Sequence, residues 1–263
     1  MLVNTHRLFT TLLPRLRITT VCDVGSMNGA EATTFSAAVP HCRIYAFEPN
    51  PHNFQRMAAR QAFFQQRNIR LVPAAATNYD GAAEFFLVKA PGMGSLYRRT
   101  GEWASGTGPT AIDSVSAVVR VTTTRLDSFL LRECRPGARM AVWIDTEGAA
   151  YEVIEGLADV ARQVQLLHVE VETTPCIAAQ QKLYPQVLAL LRRQGFTELA
   201  TDQAPGHEQF NALFVRSDLS GWRRLQVAVC VRQARVRFLL VRAALALCPR
   251  CVRAYQRLRR SRS

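Results

Sequence analysis

The sequence predicts an α/β fold: a doubly wound, mostly parallel sheet with an antiparallel strand at its C-terminal edge, followed by a basic helical tail. Three observations predict it. Short apolar runs bounded by turn residues alternate with helix-length amphipathic segments, which is typical of a parallel sheet covered by helices. With 48% apolar residues, a chain of 263 residues can bury a full core. Most of the net positive charge lies near the C-terminus.

Seven apolar runs are predicted as strands of the main sheet: Thr20–Val24, Arg43–Phe47, Ile69–Pro73, Arg139–Ile144, Gln165–Val171, Phe196–Ala200 and Phe210–Val215. Four helices are predicted between them: Ala30–Val39, Pro51–Gln66, Ala149–Val160 and Ala179–Gln194. The short gap before the last strand predicts a hairpin, and therefore the antiparallel edge. Two further β segments, Ala83–Lys89 and Val118–Thr123, enclose a long loop rich in Gly, Ser, Thr and Pro, which is predicted to be functional or mobile.

The N-terminal segment and the cysteines bear on location. The first twenty residues contain three Arg and no acid, as transit peptides do, but Val21 follows closely and favours a short helix leading into the first strand. The seven cysteines are scattered and favour a reducing cytoplasm over a disulfide framework. Cys248 and Cys251 form a C-x-x-C without a second pair, so no metal site is predicted there.

The charge divides the chain near residue 216. From Arg216 to Ser263 there are 13 Arg, no Lys and one acid, so this part carries +12 of the net charge of +13. We predict one domain over residues 1–216, with its motif-bearing core at 20–215, and an Arg-rich amphipathic helical tail over 217–263, broken near Pro249. The tail, from 222 to 260, could contact an anionic membrane surface or pack on the body or a second subunit; nucleic-acid binding is less favoured.

The first motif is the turn that follows the first strand, from Asp23 through Gly25 and Asn28 to Gly29. Its glycines allow the backbone to turn sharply beside a nucleotide-like ligand. A dinucleotide site has more closely spaced glycines, so the longer spacing favours adenosylmethionine over NAD, with Asp23 placed to pair its amino group. A merely structural turn is the alternative.

The second motif is Phe47-Glu48-Pro49-Asn50-Pro51, at the end of the next strand. An acid at this position, about twenty residues after the glycine turn, is the expected partner of two ribose hydroxyls. The alternative is an acid that caps a helix beginning near Pro51.

The third motif, Ile144-Asp145-Thr146-Glu147-Gly148, also follows an apolar strand. Asp145 and Glu147 could deprotonate a substrate hydroxyl, or hold a divalent cation that does so, although nothing else in the sequence supports a cation. The alternative is that they face the dipole of the following helix. Glu172 is predicted to point into the same cleft, whereas His168, earlier on its strand, is predicted to be a hydrogen-bonded core residue.

Taken in order, these motifs resemble the FkbM family of methyltransferases. The resemblance also includes Gly94-Ser95-Leu96, Thr124-x-Leu126-Asp127, Gly195-Phe196 and Asn211-Ala212-Leu213-Phe214. It implies a class I, Rossmann-like methyltransferase fold, S-adenosylmethionine as cofactor, and O-methylation of a sugar or natural-product hydroxyl. The acceptor would then be a small molecule or glycan.

By position, the resemblance places five residues at the cofactor: Asp23, Gly25, Asn28, Gly29 and Glu48. It places Asp145 and Glu147 near the transferring methyl group. We expect Ser95 and Glu172 to contact the substrate, with the segment around Ser95 acting either as a lid or as a flexible hairpin tip. The sequence departs from the family at Ala150, where a second acid is common. An NAD-linked or nucleotide-sugar Rossmann enzyme, or a non-catalytic scaffold, are the alternatives.

Overall fold

The structure is a computed structural model that describes residues 2–90, 92–99 and 115–247. The described residues form ten strands: β1 (Thr20–Val24), β2 (Arg43–Phe47), β3 (Ile69–Val72), β4 (Ala75–Thr77), β5 (Gly81–Val88), β6 (Val115–Arg125), β7 (Met140–Ile144), β8 (Val164–Glu172), β9 (Phe196–Thr201) and β10 (Gln209–Arg216). They form eight α-helices: α1 (Thr5–Arg15), α2 (Ala30–Ala38), α3 (Pro51–Ala58), α4 (Gln61–Gln65), α5 (Leu126–Glu133), α6 (Ala150–Glu155), α7 (Tyr184–Arg193) and α8 (Gly221–Leu247).

Seven strands form the main sheet, in the order β3-β2-β1-β7-β8-β10-β9. All neighbouring pairs from β3 to β8 are parallel, and β10 runs antiparallel to both of its neighbours. The strand order reverses between β1 and β7, which are neighbours in the sheet but not in the sequence. Ligands of doubly wound sheets bind at such a reversal, beyond the carboxyl ends of the strands.

The predicted hairpin closes the C-terminal side of this sheet, but its antiparallel strand is not at the edge. β10 lies one position inside, and β9 forms the edge. The reason is that α7 leads into β9, which runs parallel to β8 but two positions away from it in the sheet. β10 then lies between β8 and β9 and pairs with both. The mostly parallel, doubly wound sheet itself is confirmed.

A second, smaller sheet contains β4, β6 and β5. Its hairpin strands β5 and β6 correspond to the two predicted β segments, whereas β4 was not predicted. Most of the long loop between β5 and β6 lies outside the described residues. α5, which follows β6 directly, was also not predicted; it begins at Leu126, within a motif of the family resemblance.

Tertiary contacts shorten three predicted helices. The helix predicted from Pro51 is interrupted after Ala58, so that α4 can place Phe64 in the core. α6 ends at Glu155 because Gly156 passes so close to Thr77 that an added Cβ would lie 2.1 Å from the Thr77 carbonyl oxygen. α7 begins at Tyr184, later than predicted, since the Gln181 side chain accepts hydrogen bonds from the preceding backbone.

Alternate residues of the central strands face two hydrophobic cores. Val21 of β1 packs with α1, α2 and α8 on one face of the sheet, whereas Cys22 and Val24 pack with α5, α6 and α7 on the other. All five residues of β1 and of β7 are buried. Burial on both faces explains why these strands are mostly apolar in the sequence, with Asp23 as the one charged residue in β1.

The N- and C-terminal helices of the described chain pack on each other. α1 confirms the helix predicted before the first strand, and its Phe9 and Leu12 are fully buried. α8 contacts α1 through Val227 and Cys230. The predicted break near Pro249 and the pair Cys248 and Cys251 lie outside the described residues. The five cysteines in the described part are all free. Within that same part, no helix is long and apolar enough to cross a bilayer.

Candidate functional site

A cavity of about 530 Å³ lies at the carboxyl ends of β1, β2 and β7, where the strand order reverses. Its remaining wall comes from the second sheet and from the segment after β5. The lining side chains are mostly apolar, with polar groups at two places: Glu48, Asn50 and Asn53 at one, and Asp145 and Thr146 at the other. A largely apolar cavity with a few placed polar groups is typical of a small-molecule binding site.

The glycine turn after β1 is fixed by contacts within the protein. Gly25 has a φ of +89°, and an added Cβ would lie 1.7 Å from the Asp145 carbonyl oxygen. Gly29 has a φ of +78°, and its Cβ would lie 2.5 Å from the Phe64 ring. Gly25 lines the cavity, whereas Gly29 lies behind it at the start of α2. Both glycines are therefore needed for the shape of the turn itself, which was the alternative to a role in ligand binding, and Gly25 also borders the ligand site.

Asp23 and Asn28 do not lie on the cavity wall. The Asp23 side chain is fully buried under the turn, where Oδ2 accepts hydrogen bonds from Ser26 Oγ at 2.6 Å and from the Ala32 amide at 3.1 Å. Burial raises the pKa of Asp23 to about 7, although the Ser26 hydrogen bond opposes the shift. Asn28 is exposed and accepts a hydrogen bond from the Ala30 amide. Both residues shape the turn, and direct cofactor contact by them stays a prediction.

Glu48 joins the two strand ends that border one side of the cavity. Its Oε2 accepts a hydrogen bond from the Met27 amide at 2.6 Å, and its Oε1 accepts one from the Asn50 amide at 2.8 Å. The side chain is only 4% exposed yet lines the cavity, and Asn53 is a further hydrogen-bond partner of its carboxylate. Burial raises its pKa to about 7. A carboxylate in this position can accept from ribose hydroxyls, as predicted, while it also braces the turn.

Three carboxylates meet beyond the ends of β7 and β8. Oxygens of Asp145, Glu147 and Glu170 lie within 4.8 Å of one another, which is close enough to share one divalent cation. β7 and β8 are paired so that Ile144 lies opposite Val169, which brings the next residues, Asp145 and Glu170, side by side. Asp145 also lines the cavity. The cluster therefore adjoins the ligand space.

This cluster has more acids than nearby cations. Arg99 donates from Nη2 to Glu147 Oε2 at 2.6 Å. Burial raises the pKa of Asp145 and of Glu170, and the neighbouring carboxylates raise the pKa of Glu170 further. The pKa of Glu147 is raised to about 7, again by burial first, with Arg99 opposing the shift. A raised pKa makes a carboxylate a stronger base, which is a property that a general base requires.

On β8, His168 occupies the place predicted for it, whereas Glu172 lies at the end of the strand without reaching the cavity wall. Glu172 is 2% exposed and accepts hydrogen bonds from Gln181 at 3.1 Å and from Gln209 at 3.3 Å. Burial raises its pKa to about 7. It does not line the cavity wall, so substrate contact stays a prediction. His168 is a buried core residue: its ring stacks on Trp143 at 3.4 Å, and burial lowers its pKa well below the usual value.

Ser95 fastens the segment after β5 to the carboxylate cluster. Its Oγ donates to the Glu147 carbonyl oxygen at 2.7 Å and accepts from the Tyr97 amide at 3.0 Å. Ser95 is 1% exposed and is not part of the cavity wall, whereas its neighbours Gly94 and Leu96 are. The segment thus forms a wall of the cavity, and Ser95 holds that wall in place.

Three residues at the site, Arg99, Asn53 and Thr146, were not singled out from the sequence, whereas Glu170 was a candidate as part of the acidic segment Glu170–Glu172 without an assigned role. Glu170 completes the carboxylate cluster, and Arg99 pairs with it. Asn53 and Thr146 line the cavity, and Thr146 Oγ1 is buried without a hydrogen-bond partner among the described residues. Only the position of Glu170, near the end of a strand and two residues before Glu172, gave a signal in the sequence. Ala150, where the family commonly has an acid, is buried in the apolar core.

Solved structures of similar fold include several methyltransferases. A precorrin-6y C5,15-methyltransferase from Geobacter metallireducens is 14% identical, with a TM-score of 0.40 over 78% of this chain and 84% of that one. An rRNA methylase from Streptococcus thermophilus is 12% identical, with a TM-score of 0.45 over 82% and 98%. Aeropyrum pernix fibrillarin, with natively bound S-adenosyl-L-methionine, is 13% identical, with a TM-score of 0.43 over 75% and 66%.

A family model matches more than half of the chain. No curated protein sequence matches significantly. The model of the methyltransferase FkbM domain matches residues 23–198, from Asp23 to Glu198. This range contains the glycine turn, Glu48 and the carboxylate cluster, and it decides against the NAD-linked alternative. The predicted cofactor, S-adenosylmethionine, and the class I methyltransferase fold are confirmed. The chain belongs to the FkbM methyltransferase family.

Proposed function

We propose that the protein transfers a methyl group from S-adenosylmethionine to a hydroxyl group of a sugar or natural product, with Asp145 as the general base. The position of Asp145 is the observation that carries this proposal. Its carboxylate lines the cavity and lies within a cluster of acids whose pKa values are raised by burial. An alcohol must lose its proton as its oxygen attacks, and a nearby base with a raised pKa serves that step at neutral pH.

The two polar ends of the cavity suit the two ends of the donor. Glu48 would accept hydrogen bonds from the ribose hydroxyls, and Asn53 lies beside it on the wall. Gly25 lies between Glu48 and Asp145, so a bound ligand would pass over its backbone. When bound, S-adenosylmethionine supplies an electrophilic methyl group on a sulfonium. The acidic end is the better place for a cation, because carboxylates stabilise positive charge in a site of low dielectric.

The protein's own task is alignment and proton transfer. Asp145 accepts the hydroxyl proton while the acceptor oxygen forms its bond to carbon and the carbon–sulfur bond breaks. The hydrogen bond between Glu170 and Asp145 lowers the pKa of Asp145, against the effect of burial, and raises that of Glu170. Glu147 is held by Arg99. The segment fastened by Ser95 limits the space that an acceptor can enter.

Turnover by Asp145→Asn tests the base. Purified protein is incubated with S-adenosylmethionine and a panel of sugars, and each sugar is compared with its O-methylated derivative. Turnover is followed as the amount of demethylated cofactor that forms. We expect Asp145→Asn to slow turnover by about 10²–10⁴-fold while the affinity for the cofactor stays nearly unchanged. The matched control is Asp159→Asn, an exposed acid outside the cavity. Equal turnover by both variants would remove the assignment of Asp145.

Two further measurements separate the parts of the proposal. Turnover is measured after treatment with a chelator; a base mechanism survives it, whereas loss of activity that Mg²⁺ or Mn²⁺ restores assigns the cluster to a cation. Cofactor affinity is measured by calorimetry for Glu48→Ala, which we expect to weaken binding by about tenfold or more. Unchanged affinity would refute the ribose role of Glu48.

A further inference from the structure

Helix α8 has two apolar faces on opposite sides. One face packs on the body: Val227 and Cys230 are 4% and 2% exposed, and Val231 and Ala234 are partly buried beside them. This contact lies against α1. The contact with α1 buries one apolar face of the helix. Among the described residues, no part of the methyltransferase domain buries the opposite apolar face.

The opposite face exposes six large apolar side chains. Their exposed fractions range from 41% for Val229 to 68% for Trp222. The six residues are Trp222, Leu225, Val229, Val236, Leu239 and Leu240. At 100° per residue they fall within about 100° of arc, centred opposite the packed face. The six side chains, which we call the outer stripe, are interrupted once, between Val229 and Val236, where the exposed Arg232 and Gln233 lie on the same side of the helix.

The outer stripe is flanked only by positive charge. Five arginines lie along the described side chains of α8: Arg223, Arg224, Arg232, Arg235 and Arg237. Gly221–Leu247 contains no acid. A second copy of α8 placed on this stripe would therefore bring arginine against arginine, which opposes self-association. A nucleic acid would match the arginines but leave the apolar side chains in water.

An anionic membrane surface satisfies both parts of this face. Apolar side chains of an interfacial helix enter the boundary between headgroups and acyl chains, and flanking arginines meet anionic headgroups. A helix of 27 residues is about 40 Å long, so the outer stripe could lie along the bilayer over most of its length. Trp222, at the N-terminal end, is the type of residue that favours the membrane interface.

We propose that the outer stripe of α8 binds the surface of membranes that contain anionic lipid, with the methyltransferase domain held at the membrane through the packed face. This inference does not depend on the proposed reaction. Both faces are needed for it: the packed face couples the helix to α1, and the outer stripe provides the contact with lipid.

Vesicle flotation of the full chain tests the proposal. We expect binding to vesicles of phosphatidylcholine with phosphatidylglycerol, little binding to phosphatidylcholine alone, and loss of binding at high salt. The double variant Leu225→Ser with Leu239→Ser should weaken binding by about tenfold or more, since two exposed leucines no longer enter the bilayer. The matched control is Leu131→Ser, a leucine 57% exposed on α5; it should bind as the wild type does.

Three outcomes would overturn the proposal. The first is no binding by the wild type, or equal binding to both kinds of vesicle. The second is wild-type binding by the double variant of Leu225 and Leu239. The third is a stable dimer in light scattering without lipid that the double variant converts to a monomer, because the outer stripe would then be an interface between two copies. Circular dichroism of each variant verifies that the helix and the fold are retained.

Discussion

Replacing Gly25 by alanine should be among the most destabilising single-methyl changes in this protein. A residue other than glycine at φ +89° costs about 1–2 kcal/mol. The added Cβ would also lie 1.7 Å from the Asp145 carbonyl oxygen, a backbone atom that cannot rotate away. Relief requires β1 and β7 to separate at their ends, which stretches the 2.9 Å hydrogen bond from the Asp145 amide to Val24 and costs about 1–3 kcal/mol more. We expect a total loss of about 2–5 kcal/mol.

Gly137→Ala is the matched control, because it isolates the backbone penalty. Gly137 has a φ of +79°, but no atom lies within 4 Å of its added Cβ. Its loss should therefore be about 1–2 kcal/mol. Guanidinium unfolding of wild type and both variants, followed by circular dichroism, gives the free energies of unfolding. If Gly25→Ala loses no more than Gly137→Ala, the close approach of the two strand ends is refuted.

Three other predictions concern the groups around the cavity. The pKa of Glu172 is about 7 in the folded protein against an ordinary value of 4.5, so the wild type should lose stability as pH rises through this range. The loss, measured by urea unfolding at both ends of the range, should be smaller for Glu172→Gln by about 1–3 kcal/mol. Equal losses in the two proteins would contradict the pKa shift. Ser95→Ala removes two hydrogen bonds and should cost about 1–3 kcal/mol of unfolding free energy; a loss near zero would show that Ser95 does not hold the cavity wall. Arg99→Met removes the cation beside Glu147, so the acid limb of the pH dependence of kcat/KM should move to higher pH; an unmoved limb would separate Glu147 from catalysis.

The central sheet could be predicted because its strands are buried on both faces. β7 is a short apolar run without polar interruption, and β1 is interrupted inside the strand only by Asp23; a strand covered on both faces is expected to have such a pattern. Helix ends could not be predicted in the same way, since contacts distant in sequence decide them. α6 stops where Gly156 meets Thr77, and nothing in the local sequence reveals that approach. β4, with three residues, is too short to give a periodic signal.

The candidate site was predicted where strand ends decide its position. Glu48 and Asp145 follow apolar strands, so the rule that ligands bind beyond the carboxyl ends places both at the cavity. The sequence could not show which way a side chain turns at such an end, and Asp23 turns towards α2. Glu170 depended on strand register, because only the pairing of β7 with β8 brings it beside Asp145.

The carboxylate cluster has a consequence for the release of product. Methyl transfer converts a cationic sulfonium into a neutral thioether, while the ribose that Glu48 would hold is the same before and after. If the sulfur lies at the Asp145 end, the acids there attract the spent nucleoside less than the fresh donor, because the positive charge has gone. Exchange of one for the other would then be driven at a single end of the cavity, and neutralising that end should make the protein more prone to inhibition by its own by-product.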